Sequence, residues 1–179
     1  KIEKNGSGKV YFSSDLAYYS GSNKIKSDNE GFDVEREYFR LEKHYDPEIK
    51  SFIYNKKPVK ETVKSGDVIL VKIRVTPEEK YSKYFVMEDP IPAGCEIVKE
   101  EWAYKIVDED DYNKNDYNIW RWWYTEREFR DNRVSFFASS MYAGTYEFSY
   151  LMRAEIPGKF NIMPTQAMLM YYPELNGNG

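Results

Sequence analysis

From Ser65 to Pro77 the chain reads SGDVILVKIRVTP, with an apolar residue at every second position of its central run. Ile69, Val71, Ile73 and Val75 share one face, and Lys72, Arg74 and Thr76 share the other. A period of two is the mark of a β-strand with one buried face. Ser65-Gly66-Asp67 supplies the turn before it, and Pro77, which has no N–H to donate, ends it. The rhythm returns in GTYEFSYLMRAEIPG, 144–158. Tyr146, Phe148, Tyr150, Met152, Ala154 and Ile156 alternate there with Thr145, Glu147, Ser149, Arg153 and Glu155, and Leu151 is the exception. This predicts a long antiparallel strand with one wet face.

Other segments carry the same signal in weaker form. KVYFSSDLAYYS, 9–20, sets Val10, Phe12, Leu16 and Tyr18 on one face. GFDVEREYFRLE, 31–42, alternates until Tyr38-Phe39, where the phase changes; a bulge or two-sided burial produces such a change. SKYFVMEDPIPAG, 82–94, is apolar on both faces and ends in a turn fixed by Pro90 and Pro92. RVSFFASS, 133–140, is a further strand. Pro157-Gly158 then turns the chain into KFNIMP, and TQAMLMYY, 165–172, is the expected closing strand before a small polar tail. In that strand Met168, Met170 and Tyr172 share one face and Leu169 and Tyr171 the other.

Residues 99–132 break the rhythm. They are acidic, then rich in Asn, then carry Trp120, Trp122 and Trp123. They read as an excursion between strands, with one helical turn near 125–130. About eight short strands with turns between them and no long helix predict an all-β fold. The expected architecture is an antiparallel immunoglobulin/fibronectin-III-like β-sandwich, one domain over 1–179 with a long insertion at about 99–132.

Composition narrows the function. The 30 acidic and 26 basic residues leave a net charge of -4, and the basic residues are scattered. That gives no footprint for nucleic acid or an anionic membrane. Aromatic residues make up 17% of the chain, including 17 Tyr, which suits half-wet sheet surfaces. With one cysteine, Cys95, there is no internal disulfide. No stretch approaches the roughly 20 apolar residues of a membrane-spanning helix. The opening KIEKNGSGKVYF reads as an excised piece of something longer.

Catalytic candidates are few. Cys95 needs a nearby base to become a nucleophile, and the single histidine, His44, is remote in sequence. A small buried thiol and a solvated loop histidine are the simpler readings. One His and one Cys cannot make a zinc cluster. Asp108, Glu109, Asp110 and Asp111 lack the glycine and register of a calcium loop. Nothing singles out a pair of carboxylates for glycoside hydrolysis. No cofactor is implied. The cluster WRWWY, 120–124, is either cover for the sandwich or a sugar-stacking platform.

Several segments together resemble a known family. GFDVEREYFRLE is followed by VKSGDVILVKIRVTPEEKYSKYFVMEDPIPAGCEIV and then REFRDNRVSFFASSMYAGTYEFSYLMRAEIPGKFNIMPTQAMLMYYPELNG. Taken together and in order, these look like the C-terminal macroglobulin-like domain of bacterial alpha-2-macroglobulins. The resemblance covers most of 31–177; the segment 99–123 is longer and more acidic than the family pattern.

The resemblance implies a non-catalytic β-sandwich within a large periplasmic or surface-exposed protein, often lipid-anchored, that traps proteases. It implies packing against other domains of the parent, above all a thioester-bearing one that this domain helps shield from water. Target proteases are then partners only indirectly. A thioester needs Cys-x-Glu-Gln, and Cys95 stands in Cys-Glu-Ile-Val, so the chain has none of its own. The family's Met-Tyr-x-Pro segment falls at Met170, Tyr171, Tyr172 and Pro173. The expected interdomain contact is therefore Met168, Met170, Tyr171 and Tyr172, with Met170 or Tyr171 exposed in this chain; the alternative is that Met168, Leu169, Met170, Tyr171 and Tyr172 are all ordinary sandwich core. The competing readings are a carbohydrate-binding module using Trp120, Trp122 and Trp123, and a hydrolase, which a single histidine makes weak.

Overall fold

The computed structural model describes residues 3–14, 26–107 and 126–179. Trp120, Trp122, Trp123, the acidic run at 108–111 and the second half of the 9–20 segment lie outside the described residues. So the aromatic patch is not placed by the structure.

Eleven strands are formed among the described residues: β1 (Asp28–Glu30), β2 (Phe32–Asp46), β3 (Ser51–Pro58), β4 (Val68–Pro77), β5 (Tyr81–Pro90), β6 (Cys95–Val98), β7 (Glu126–Arg130), β8 (Arg133–Tyr142), β9 (Tyr146–Ala154), β10 (Gln166–Leu169) and β11 (Tyr172–Asn178). They make two antiparallel sheets. One runs β1-β11-β10-β5-β8-β7 and the other β3-β2-β4-β9-β6. The two sheets face each other as an open sandwich, which is the expected fold class.

The alternating residues fill the space between the sheets. Val71, Ile73 and Val75 of β4 are fully buried, as are Phe85 and Met87 of β5 and Val134 of β8. Phe136 and Phe148 meet edge to face at 4.9 Å, and Phe148 stacks on Phe85 at 5.9 Å. Burying a side chain of this size contributes about 1.5–3 kcal/mol.

The phase change in β2 is two-sided burial, not a bulge. Its register against β4 runs unbroken from Phe32↔Pro77 to Arg40↔Ile69. Phe32, Val34 and Tyr38 face the main core. Phe39 and Leu41 face outward into a second cluster with Leu70, Val98 and Leu151. That cluster explains the odd Leu151 of β9 and corrects its wet face. The segment after β6, through the 3₁₀ turn Glu101–Ala103, brings Tyr104 and Ile106 over the outside of the sheet. Its far end pairs with β3: the Tyr54 N–H donates to the Lys105 carbonyl at 2.8 Å and the Val107 N–H to the Tyr54 carbonyl at 2.8 Å.

Glu101 and Arg127 finish this covering. Strand β6 ends opposite Leu151 and leaves the next part of the β9 edge bare. The Leu151 N–H donates to Glu101 Oε1 at 3.2 Å, and Arg127 Nη1 donates to the Ser149 carbonyl at 3.2 Å. Arg127 also grips Glu101 through Nη2 at 2.8 Å. Two side chains thus satisfy backbone groups that a longer strand would have paired.

Three further expectations are corrected. Residues 9–14 form no strand; Val10 and Phe12 are 57% and 66% exposed, with no apolar face to lie on. Residues 126–130 are strand β7 rather than a helical turn, joined to β8 by the turn at 131–132. Ile156 lies beyond the end of β9 and is exposed.

Candidate interdomain surface

The expected closing strand is a hairpin. Strand β10 pairs with β5, the chain turns at Met170-Tyr171, and β11 returns beside β10. The polar tail is therefore a strand. Gly177 faces β2, and a side chain there would overlap the Phe32 carbonyl; only glycine lets the two backbones come so close.

The turn redistributes the four expected contact residues. Leu169 points inward and is 6% exposed, whereas Met170 is 51%, Tyr171 68% and Tyr172 60% exposed. Met168 is half-buried on the outer face, in register with Val86 of β5, itself in register with Phe137 of β8. So Met168, Met170 and Tyr172 do not share one strand face. Met170, Tyr171 and Tyr172 form the hairpin tip, and Met168 lies on the sheet surface leading to it.

The tip is anchored on β5. The Met170 N–H donates to the Tyr84 carbonyl at 2.8 Å. The Tyr171 ring meets the Tyr84 ring edge-on, with centroids 5.0 Å apart. Tyr84 is 50% exposed, and near it on β5 Tyr81 packs against Tyr142 at 5.0 Å. The result is an aromatic and methionine-lined corner of the six-stranded sheet, with Lys83 Nζ 5.7 Å from the Tyr81 ring centroid, a composition suited to a protein partner.

A second constellation escaped the sequence reading. Asp89 of β5 is fully buried. It accepts from Tyr150 Oη at 2.7 Å, from Thr165 Oγ1 at 2.8 Å and from Arg36 Nη1. Arg36 Nη2 also donates to the Met163 carbonyl at 2.8 Å. Arg36 and Tyr150 come from one sheet, Asp89 from the other, and Thr165 stands at the base of the hairpin, its N–H donating to the Gly179 carbonyl at 2.9 Å. Burial and the Asp89 carboxylate push the Tyr150 phenol well above its ordinary range. Burial raises Tyr38 beside it, with Arg36 acting in the opposite direction. The available signal was Asp89 itself, an acid in step with Phe85 and Met87 on the buried face.

The remaining candidates do not converge. His44 is exposed on strand β2 rather than in a loop. Cys95 is half-buried, and burial pushes its thiol up, away from the reactive thiolate. Among the described residues no three His, Cys, Asp or Glu side chains gather as metal ligands.

The family model described as Bacterial Alpha-2-macroglobulin MG10 domain matches residues 31–174. The chain belongs to this family. The matched MG10 span runs from Gly31 to Glu174, so it holds β2 through β10 and the whole hairpin tip. The chain is 32% identical over 109 residues to an alpha-2-macroglobulin of Thermotoga maritima, covering 61% of this chain and 7% of that protein. It is 28% identical over 127 residues to one of Xylella fastidiosa, 65% of this chain and again 7% of the relative. This MG10 chain thus spans a small part of the length of the relatives it matches. Among solved structures it resembles Salmonella alpha-2-macroglobulin reacted with methylamine, at TM-score 0.68 and 21% identity, over 90% of this chain and 9% of that one. It also resembles native Escherichia coli alpha-2-macroglobulin spanning domain MG7 to the C-terminus, at TM-score 0.64 and 22% identity, over 87% and 23%. Those two likenesses carry the immunoglobulin-like sandwich fold of the MG domains.

Proposed function

We propose that this MG10 domain is the non-catalytic, C-terminal sandwich of a bacterial alpha-2-macroglobulin-like protease trap. Its hairpin tip packs on the thioester-bearing domain of the same parent and helps keep water from the reactive bond. The parent is exported to the periplasm or cell surface. The observation that carries this reading is the exposure of Met170, Tyr171 and Tyr172, at 51%, 68% and 60%, on a hairpin otherwise fixed to the sheet. Large apolar side chains held on an ordered turn are a ready contact for a neighbouring module. Family membership and the small share of each relative that the chain spans support the presence of such neighbours.

The test uses the full parent protein with photoreactive benzoylphenylalanine in place of Tyr172. Cross-linked peptides are located by mass spectrometry. The expected product joins position 172 to the thioester-bearing domain. A product confined to other domains, or none, overturns the docking role.

A further inference from the structure

Tyr84 has φ 57°, in the left-handed region. A bulky residue there is a true outlier, because its Cβ crowds the following carbonyl. The strand has a local reason to be irregular at this point. Ser82 and Phe85 are both buried, so the inward phase slips between them, and on the partner strand Ala138 and Met141 show the same slip. Glycine or asparagine would absorb that slip at less cost. A tyrosine occupies it instead, half-exposed, so the ring adds little to the core.

What the ring and carbonyl of Tyr84 do is hold the tip. The carbonyl takes the Met170 N–H at 2.8 Å, and the ring braces Tyr171 at 5.0 Å and 90°. We propose that Tyr84 is the positioning residue of the docking surface. Its strained backbone is tolerated because it aims the ring that fixes Met170 and Tyr171 before the partner arrives. Ordering the tip in advance removes part of the entropy cost of association. The inference rests on the docking role proposed above.

The two ideas fail separately. In the parent carrying the photoreactive residue at 172, Tyr84→Gly and Tyr84→Asn are compared with Tyr84→Phe. Both small residues accept a left-handed backbone, so the thermal midpoint of this domain stays unchanged or rises. Without the ring, the cross-link to the thioester-bearing domain falls about fivefold, the weight of one lost aromatic contact. Tyr84→Phe keeps the yield. A merely structural tyrosine would give the opposite pattern, with lower midpoints in both small variants and an unchanged yield. An unchanged yield in Tyr84→Gly and Tyr84→Asn overturns the positioning role while leaving the docking role intact. Lower midpoints in both also overturn it. Absence of the cross-link in the Tyr84 parent overturns both.

Discussion

Tyr150 on one sheet donates its phenolic hydrogen at 2.7 Å to Asp89 on the other. A carboxylate with no solvent exposure is costly unless it is paired and hydrogen-bonded, and here Arg36 and Thr165 both donate to Oδ1 while Tyr150 holds Oδ2. Removing the acid strands a guanidinium that is only 9% exposed. Asp89→Ala should therefore cost about 3–5 kcal/mol in urea unfolding. Thr165→Val and Tyr150→Phe should each cost about 1–3 kcal/mol. The double replacement Arg36→Met with Asp89→Leu should recover much of the single-mutant loss, because no lone buried charge remains.

Two phenols, the buried Tyr150 and the partly buried Tyr38, set the alkaline limit. Tyr150 and Tyr38 ionise above their ordinary value of 10.0 in the folded chain. The unfolded chain releases both protons near pH 10 while the folded chain keeps them. The unfolded state then binds fewer protons, so stability falls as pH rises. Their contribution is complete below pH 10 and declines above it by about 1.4 kcal/mol per pH unit for each tyrosine. Urea midpoints measured from pH 9 to about 11.5 should fall steeply in the wild type and less steeply in Tyr150→Phe.

Gly177 should tolerate no side chain. The obstruction is the Phe32 backbone carbonyl, which cannot rotate aside as a side chain can. Gly177→Ala should destabilise by about 1–3 kcal/mol or more by forcing β11 off β2. Amide exchange at Asn176 and Asn178 should accelerate in that variant before exchange at Val71 does.

Exposed and buried neighbours in the hairpin should part company. Met170→Ala and Tyr171→Ala should change the unfolding free energy by no more than about 0.5 kcal/mol. Leu169→Ala, one residue away, should cost about 2–5 kcal/mol. Chemical denaturation of the three variants checks this.

The core was legible because period two was nearly unbroken in β4 and β9: Ile69, Val71, Ile73, Val75, Phe148, Tyr150 and Met152 all lie where the alternation put them. The failures have separate causes. Val10 and Phe12 alternate like a strand, yet no sheet edge among the described residues receives them. Tyr172 to Asn178 has too little apolar character to announce a strand, since its close approach to β2 is made by absence of side chain. The Met170-Tyr171 turn contains neither glycine nor proline, so no local residue marked it. Exposure of Met170 or Tyr171 was expected on a straight strand; both are exposed, on a bend.

The bare margin of β9 has a wider meaning. Unpaired backbone at the side of a sheet will accept any extended peptide that comes near, and closely spaced sandwiches present many such peptides. Glu101 and Arg127 occupy that margin with ionic groups bound to each other, which an incoming strand would have to displace together. At Ser149 and Leu151, the side of β9 is therefore closed to a further strand unless that ion pair is first broken.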